Sequence, residues 1–284
     1  MTRRTRRIIL IGAVLFFALI TPMILLYAWG YSFDWQNKNI VLTGGLYLKS
    51  IPKKANIYIN NQIQKEITPT FIKRLSPKEY QIKVEKEGYY SWQKNLKVES
   101  KIVTEAKNIL LIPINPKIEV VNQELPTNFS LKDFIQEESN TVNEESVLLD
   151  KDNQLYLLNS ETKEFDLVNQ NVQGFQFSSD NQKLLYYTPS EIWIHHLKES
   201  EQISDDKELI TRLSQKIKQA VWYKTNEHII FSTEDNIKIL ELDNRGDQNI
   251  INITESKTQE IAYSIKDDKL YFIQDNQLIN ISLE

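Results

Sequence analysis

The sequence predicts an all-β protein apart from one N-terminal transmembrane helix. It is built as a small two-sheet sandwich followed by a domain of repeated β-units. Three observations predict this. An uncharged run, Ile8–Trp29, follows four arginines. From Gly45 onward the hydrophobic period becomes two, the period of strands. In the second half of the chain, an aromatic–turn–aliphatic pattern recurs about every forty residues.

Composition agrees with a folded chain. Hydrophobic residues make up 41% and charged residues 25% of 284, enough for two modest domains. Cysteine is absent, which excludes disulfides and thiolate metal sites. The three histidines, His195, His196 and His228, argue against a His-rich metal centre, and no cofactor is expected. Seven glycines are few for so many turns, so Asn and Asp must supply them. Charge is unevenly spread: residues 1–44 carry +4, residues 45–116 carry +7 and residues 117–284 carry −15. A basic and an acidic part point to two folding units.

At the N-terminus, Arg3, Arg4, Arg6 and Arg7 precede the uncharged run, whose 22 residues would make a helix of about 33 Å. That spans a hydrocarbon core of about 30 Å. Pro22 is expected to kink it mildly, and Tyr27, Trp29, Tyr31 and Trp35 read as an aromatic interface belt. The arginines place the N-terminus in the cytoplasm and the bulk of the chain outside. A cleaved signal peptide is the competing reading, with Ala28–Gly30 as a poor cleavage site. The length of the run and its aromatic end favour the anchor.

The period-two stretches "GLYLKSI", "ANIYIN", "EYQIKVEK", "WQKNLKVES" and "AKNILLIPI" read as strands, with Asn60-Asn61 as a hairpin turn. "GLYLKSIPKKANIYINN" and "ITPTFIKRLSPKEYQIKVEKEGYY" together resemble the PEGA domain, a small β-sandwich of bacterial surface and envelope proteins. The agreement runs through Gly45, Pro52, Ala55, Thr68, Pro69, Leu75, Tyr80, Gly88 and Tyr89. Lys53-Lys54 stands where the name-giving Glu-Gly is usual, so the turn there must be one lysine can adopt. The resemblance implies a scaffold or interaction module rather than an enzyme.

In the second half, Phe177 precedes Leu184, Trp222 precedes Ile229 and Tyr263 precedes Leu270, each by seven residues. A further strand closes each unit, and a weaker copy lies at 146–168. "FSSDNQKLLYY" is similar to the turn of TolB- and WD40-like propellers, with Asn181 in place of Gly. Three strong units and one weak one fit a partial or small propeller-like domain. A plain β-sandwich is the alternative.

The sequence thus divides into a basic tail (1–7), a transmembrane helix (8–29), a juxtamembrane segment (30–44) and a PEGA-like sandwich (45–115). A polar linker (116–145) and propeller-like repeats (146–284) follow. No motif for nucleophilic catalysis, phosphate cradling or zinc hydrolysis is present. Adjacent His195 and His196 on a strand point to opposite faces and cannot share a metal. Asp205-Asp206 and Asp267-Asp268 read as polar turns.

The expected function is a non-enzymatic, membrane-anchored envelope module. A glycan-active enzyme or a secreted glycan-binding protein is the alternative. The expected partners are the membrane and an anionic envelope polymer or another envelope protein, with no nucleic acid. The candidate envelope-facing surface is basic: Lys53, Lys54, Lys83 and Lys86. If Ile8–Trp29 spans the bilayer, Leu15→Arg is expected to weaken insertion by about 2.5–3.5 kcal/mol. A translocon insertion assay reads this directly, and unchanged insertion would argue against the span.

Overall fold

The computed structural model describes residues 2–34, 38–122, 125–126, 129–135, 146–159, 161–197, 206–258 and 260–283. Trp35 of the aromatic belt and Asp205 lie outside them. The chain divides into two compact units: residues 1–86 with 91–110, and residues 87–90 with 111–284.

The first unit opens with α1 (Arg3–Ala28), capped by the Thr2 side chain and continuous through Pro22. The helix therefore starts inside the expected basic tail. After the arginines of its first turns its surface is apolar all round, and none of its residues is buried. A short hairpin follows, β1 (Tyr31–Asp34) and β2 (Asn39–Leu42).

Next come β3 (Gly44–Ile51), β4 (Asn56–Ile59), β5 (Gln62–Ile67), β6 (Thr70–Leu75), β7 (Lys78–Glu85), β8 (Trp92–Val98) and β9 (Val103–Leu110). They form two sheets, ordered β6-β3-β9 and β5-β4-β7-β8, with β3 and β9 parallel. Alternation sends Leu46, Leu48, Ile57, Ile82, Val84, Trp92 and Leu96 inward, where all are buried. The sheets come close at Gly44, where a Cβ would lie 2.1 Å from the Glu99 carbonyl oxygen. Asn60 and Asn61 adopt φ of 48° and 64°, the paired left-handed residues of a two-residue hairpin.

Among the described residues the second unit is an array of four blades. Its elements are β10 (Ile118–Asn122), α2 (Leu131–Ile135), β11 (Val147–Leu149), β12 (Leu155–Leu158) and β13 (Phe165–Asn169). Then come β14 (Gly174–Phe177), β15 (Lys183–Tyr187), β16 (Glu191–His196) and β17 (Lys207–Arg212). The last are β18 (Gln219–Trp222), β19 (His228–Ser232), β20 (Asn236–Glu241), β21 (Ile250–Glu255), β22 (Ile261–Ser264), β23 (Lys269–Gln274) and β24 (Gln277–Ser282).

The sheets are β11-β12-β13, β14-β15-β16-β17, β18-β19-β20-β21 and β22-β23-β24-β10. Phe177 pairs with Leu184, Trp222 with Ile229 and Tyr263 with Leu270, the pairs expected from the repeat. Trp222 and Tyr263 are buried; Phe177 is half-buried.

Two parts of the expected division change. The stretch read as a linker, 116–145, contains β10 and the short helix α2. Backbone hydrogen bonding explains the first change: β10 lies antiparallel to β24 and supplies the outer strand that the last blade would otherwise lack. Lys269 reaches Glu119 on β10 at 2.9 Å, and Lys117 and Lys269 together lower the Glu119 carboxyl to about 2. The second change concerns the far face of the last blade. Leu125 and Leu131, with Phe129 and Ile135, pack on Tyr271 and Leu278 there.

Blades stack face to face. Leu185, Tyr187, Ile192 and Ile194 of the second meet Ala220, Trp222, Ile229 and Phe231 of the third. Side chains stitch the stack together. Gln176 Oε1 accepts from the Trp222 backbone N–H at 2.9 Å, and Gln219 Oε1 accepts from that of Ile261 at 2.9 Å. At the turns, Asn226 Nδ2 donates to Ser179 Oγ at 2.8 Å while its Oδ1 accepts from the Ser179 backbone N–H at 3.2 Å. Lys183 bridges to Glu227 at 2.9 Å, and Lys224 to Asp268 at 2.6 Å.

Asn226 also holds φ at 55°. Asn226→Ala removes two inter-blade hydrogen bonds, worth about 0.5–1.5 kcal/mol each, and puts a Cβ residue with no compensating side chain in the left-handed region at about 1–2 kcal/mol. A loss of about 2–4 kcal/mol is expected by chemical denaturation. Asn226→Gly, which tolerates the conformation, should lose less. Equal losses would refute the backbone contribution.

Candidate functional site

Two places carry polar chemistry. The first is the basic group expected from the sequence. β3 leads away from the helix: its neighbour Thr43 donates its backbone N–H to the Gly30 carbonyl at 3.0 Å, and Gly44 pairs with Leu75. Eight residues later β3 ends at Ile51, about 26 Å on at about 3.3 Å per residue. The Lys53–Lys54 turn lies at that remote end.

Lys86 Nζ donates to the Lys53 carbonyl at 2.8 Å, so Lys53, Lys54 and Lys86 gather there. Lys54 adopts φ of 63°, the left-handed region, with its N–H on the Thr68 carbonyl at 2.8 Å. Behind the turn, Ser50 and Thr68 hydroxyls are hydrogen-bonded at 2.5 Å, and Thr68 Oγ1 accepts from the Ala55 N–H at 3.0 Å. Lys83 stands apart. It bridges to Glu85 at 3.0 Å and sits over the Tyr58 ring at 5.4 Å, so its charge is largely compensated. The structure thus brings three of the four lysines together.

The residues of the second place were not singled out in the sequence. A polar depression of about 570 Å³ lies in the blade array, lined by Ser130, Leu131, Gln173, Tyr187, Lys216, Ile217, Lys218, Gln219, Glu260 and Ile261. Gln173, Gln219 and Ile261 stand at the start of β14, β18 and β22, the strands at which successive blades meet. The depression therefore marks the axial end of the array. Two lysines against one carboxylate make it locally basic within an acidic part of the chain. Gly174 makes room for Tyr187: a Cβ there would lie 2.7 Å from the phenol oxygen. Burial pushes the Tyr187 hydroxyl up to about 12, so it remains a neutral donor at physiological pH. Two lysines, a phenol and two glutamines make a site for a ligand rich in acceptors. The sequence held a signal for it, since Gln173, Lys218 and Glu260 each stand next to the start of an inner strand.

The histidines separate as expected. Leu184 pairs with His195 and Lys183 with His196, on opposite faces. His196 Nε2 lies 3.4 Å from Glu208. Among the described residues no group of three His, Asp or Glu side chains could hold a metal ion. Asp268 accepts from the Tyr263 hydroxyl and from Lys224, so it acts as a turn residue.

Residues 43–110 match the PEGA domain. No curated protein matches the chain. Among solved structures, the chain is similar to the extracellular domain of a hybrid two component system from B. thetaiotaomicron. That match has 10% identity and TM-score 0.36 and covers 89% of this chain and 31% of the other. It is also similar to the Cps50 (Swd1) β-propeller domain of Myceliophteria thermophila, with 9% identity, 78% and 87% covered and TM-score 0.35. A third is a gluconolactonase from Xanthomonas campestris, with 12% identity, 72% and 69% covered and TM-score 0.36. The chain spans about a third of the length of the first of these. At such scores the blade assignment rests on the strand registers above.

Burial also lowers the His195 imidazole below its ordinary value, outweighing the opposing pull of Asp206. A depressed folded value means the unfolded chain binds the proton more readily. Stability from this group is therefore complete above about pH 6.5 and is lost as pH falls through the folded value. His195→Leu is expected to flatten the fall in unfolding free energy below about pH 6.5. An unchanged slope in denaturation at stepped pH would show that other groups set it.

Proposed function

We propose that this chain is a membrane-anchored extracytoplasmic protein that acts as a non-enzymatic interaction module. The observation that carries the reading is α1. From Ile8 onward it is uncharged, apolar on every side and unburied, and it runs into a sandwich matching the PEGA domain. A helix apolar on every face has a lipid environment as its natural solvent. The four arginines at its start support a cytoplasmic location for that end.

The axial depression is the contact surface for an acceptor-rich partner, an anionic envelope polymer above all. Glycoside hydrolysis uses two facing carboxylates, and the described lining holds Glu260 alone. The Lys53–Lys54–Lys86 end, remote from the helix by more than a Debye length of about 8 Å, faces polymer rather than bilayer.

The anchor is tested on intact protoplasts with single-cysteine variants of this cysteine-free chain. Cysteine at Lys53 should react with a membrane-impermeant maleimide, and cysteine at Thr2 only after lysis. The reverse pattern would invert the topology. Release of the chain cut near Ala28 would replace the anchor with a signal peptide. The contact surface is tested by co-sedimentation with anionic cell-wall polymer. Lys216→Glu with Lys218→Glu should weaken binding several-fold, and undiminished binding would remove the depression from the account.

A further inference from the structure

The first unit leaves an apolar surface beside the end of α1 that the anchor alone does not explain. In the β1–β2 hairpin, Tyr31 pairs with Leu42 and Phe33 with Ile40, so these four share one face. The half nearest the helix is covered: Tyr31 and Leu42 are half-buried, and Leu42 lies 3.6 Å from where a Gly30 Cβ would be. The outer half is open, with Phe33 44% and Ile40 56% exposed. Asn39, on the other face, is polar.

Both ends of the hairpin are tied to the end of the helix. Gly30, at φ of 88°, turns the chain out of α1, and its carbonyl accepts from both the backbone N–H and the hydroxyl of Thr43, at 3.0 and 2.7 Å. The hairpin therefore cannot move far from the level at which α1 leaves the bilayer. Trp29, 67% exposed, marks that level. Cations stand there too. The Arg74 guanidinium lies 3.4 Å over the Tyr27 ring and donates to the Tyr27 carbonyl at 3.1 Å. Exposed Lys101 donates its backbone N–H to the Thr43 carbonyl at 3.1 Å.

We propose that the β1–β2 hairpin is a membrane-interface foot. Its Phe33–Ile40 face sits in the headgroup layer of the bilayer that α1 crosses, with Arg74 and Lys101 over anionic headgroups. The occupant follows from continuity: a hairpin tethered at the mouth of a membrane-spanning helix, its outer end bearing Phe33 and Ile40 on one face and Asp34 and Asn39 on the other, has lipid beside it. Such faces enter the interface by about 5–10 Å. The foot fixes the sandwich against the membrane at the Gly44 end and leaves the Lys53–Lys54 end pointing away. The proposal rests on the anchor reading.

The test uses the full chain reconstituted in vesicles of phosphatidylethanolamine and phosphatidylglycerol. Single cysteines at Leu15, Phe33, Asn39, Ile40 and Lys53 carry an environment-sensitive fluorophore. Leu15→Cys should be quenched by chain-labelled lipid. Phe33→Cys and Ile40→Cys should be quenched by headgroup-labelled lipid, with iodide quenching several-fold below that at Lys53→Cys. Asn39→Cys, one residue away on the opposite face, should remain open to iodide. If positions 33 and 40 are as open to iodide as position 53 while Leu15→Cys stays protected, the foot is refuted and the anchor stands. If Leu15→Cys is open as well, the anchor reading fails and the foot falls with it.

Discussion

The blade array depends on one backbone constraint, a left-handed residue in the turn between the first two strands of each blade. Asn153, Asn181 and Asn226 hold φ of 59°, 54° and 55°, and each donates its N–H to the carbonyl three residues earlier, at Asp150, Ser178 and Tyr223. In the last blade the same duty falls to Asp268, at φ of 56°. This turn fixes how the two strands register. A slip of one residue would send every apolar side chain to the wrong face. Register in turn decides that Leu185 and Tyr187 face the third blade while Leu184 and Tyr186 face the first. With so few glycines, Asn and Asp carry this conformation, and in two of the turns, at Asn226 and Asp268, the side chain also bridges to the preceding blade, on Ser179 and Lys224. Glycine would supply the turn without the bridge.

The same logic separates what was legible in the sequence from what was not. Pairs such as Trp222 with Ile229 were legible, because turn length and alternation are local. So was the Asn60-Asn61 hairpin. The outer strands were not. "KELITR" and "IINITE" lie at the edge of their sheets, where only one neighbour constrains them and burial is partial. β10 was the hardest of all. It reads as part of a polar connector, since Ile118, Val120 and Val121 are each followed or preceded by charge or amide, and its partner β24 lies some 160 residues away. No local pattern announces a pairing at that distance. Likewise Lys94 alternates inward with Trp92 and Leu96 and is 2% exposed, a position that its residue type conceals but its strand parity reveals.

Of the sites, the basic surface was legible as composition but not as an arrangement. Four lysines in sequence became three at one end of the sandwich and one paired with Glu85 along a strand. The axial depression needed the array itself, because its residues come from three blades and from the segment around α2. Its positive balance is notable against the −15 of the surrounding residues. A local potential opposed to the domain's own sign is screened and weakened at range. Such a potential is felt only at contact distance, which suits selectivity rather than long-range capture.

The ends of the blade stack pose a final physical problem, because a sheet with two apolar faces needs a cover on each. The last blade has one, the segment around Leu125 and Leu131. The first blade buries one face on the second, through Val147, Leu155 and Val168 against Leu184 and Tyr186. Its other face bears Leu148, Phe165 and Leu167, all exposed. Those strands are also short, three to five residues, and number three among the described residues. A sheet with less backbone pairing and one uncovered face has the lowest local free energy of opening in the array. Unfolding of the second unit is therefore expected to begin at its first blade. At the opposite end the β10–β24 ladder completes the last sheet, so fraying is expected first at the blade of residues 147–169.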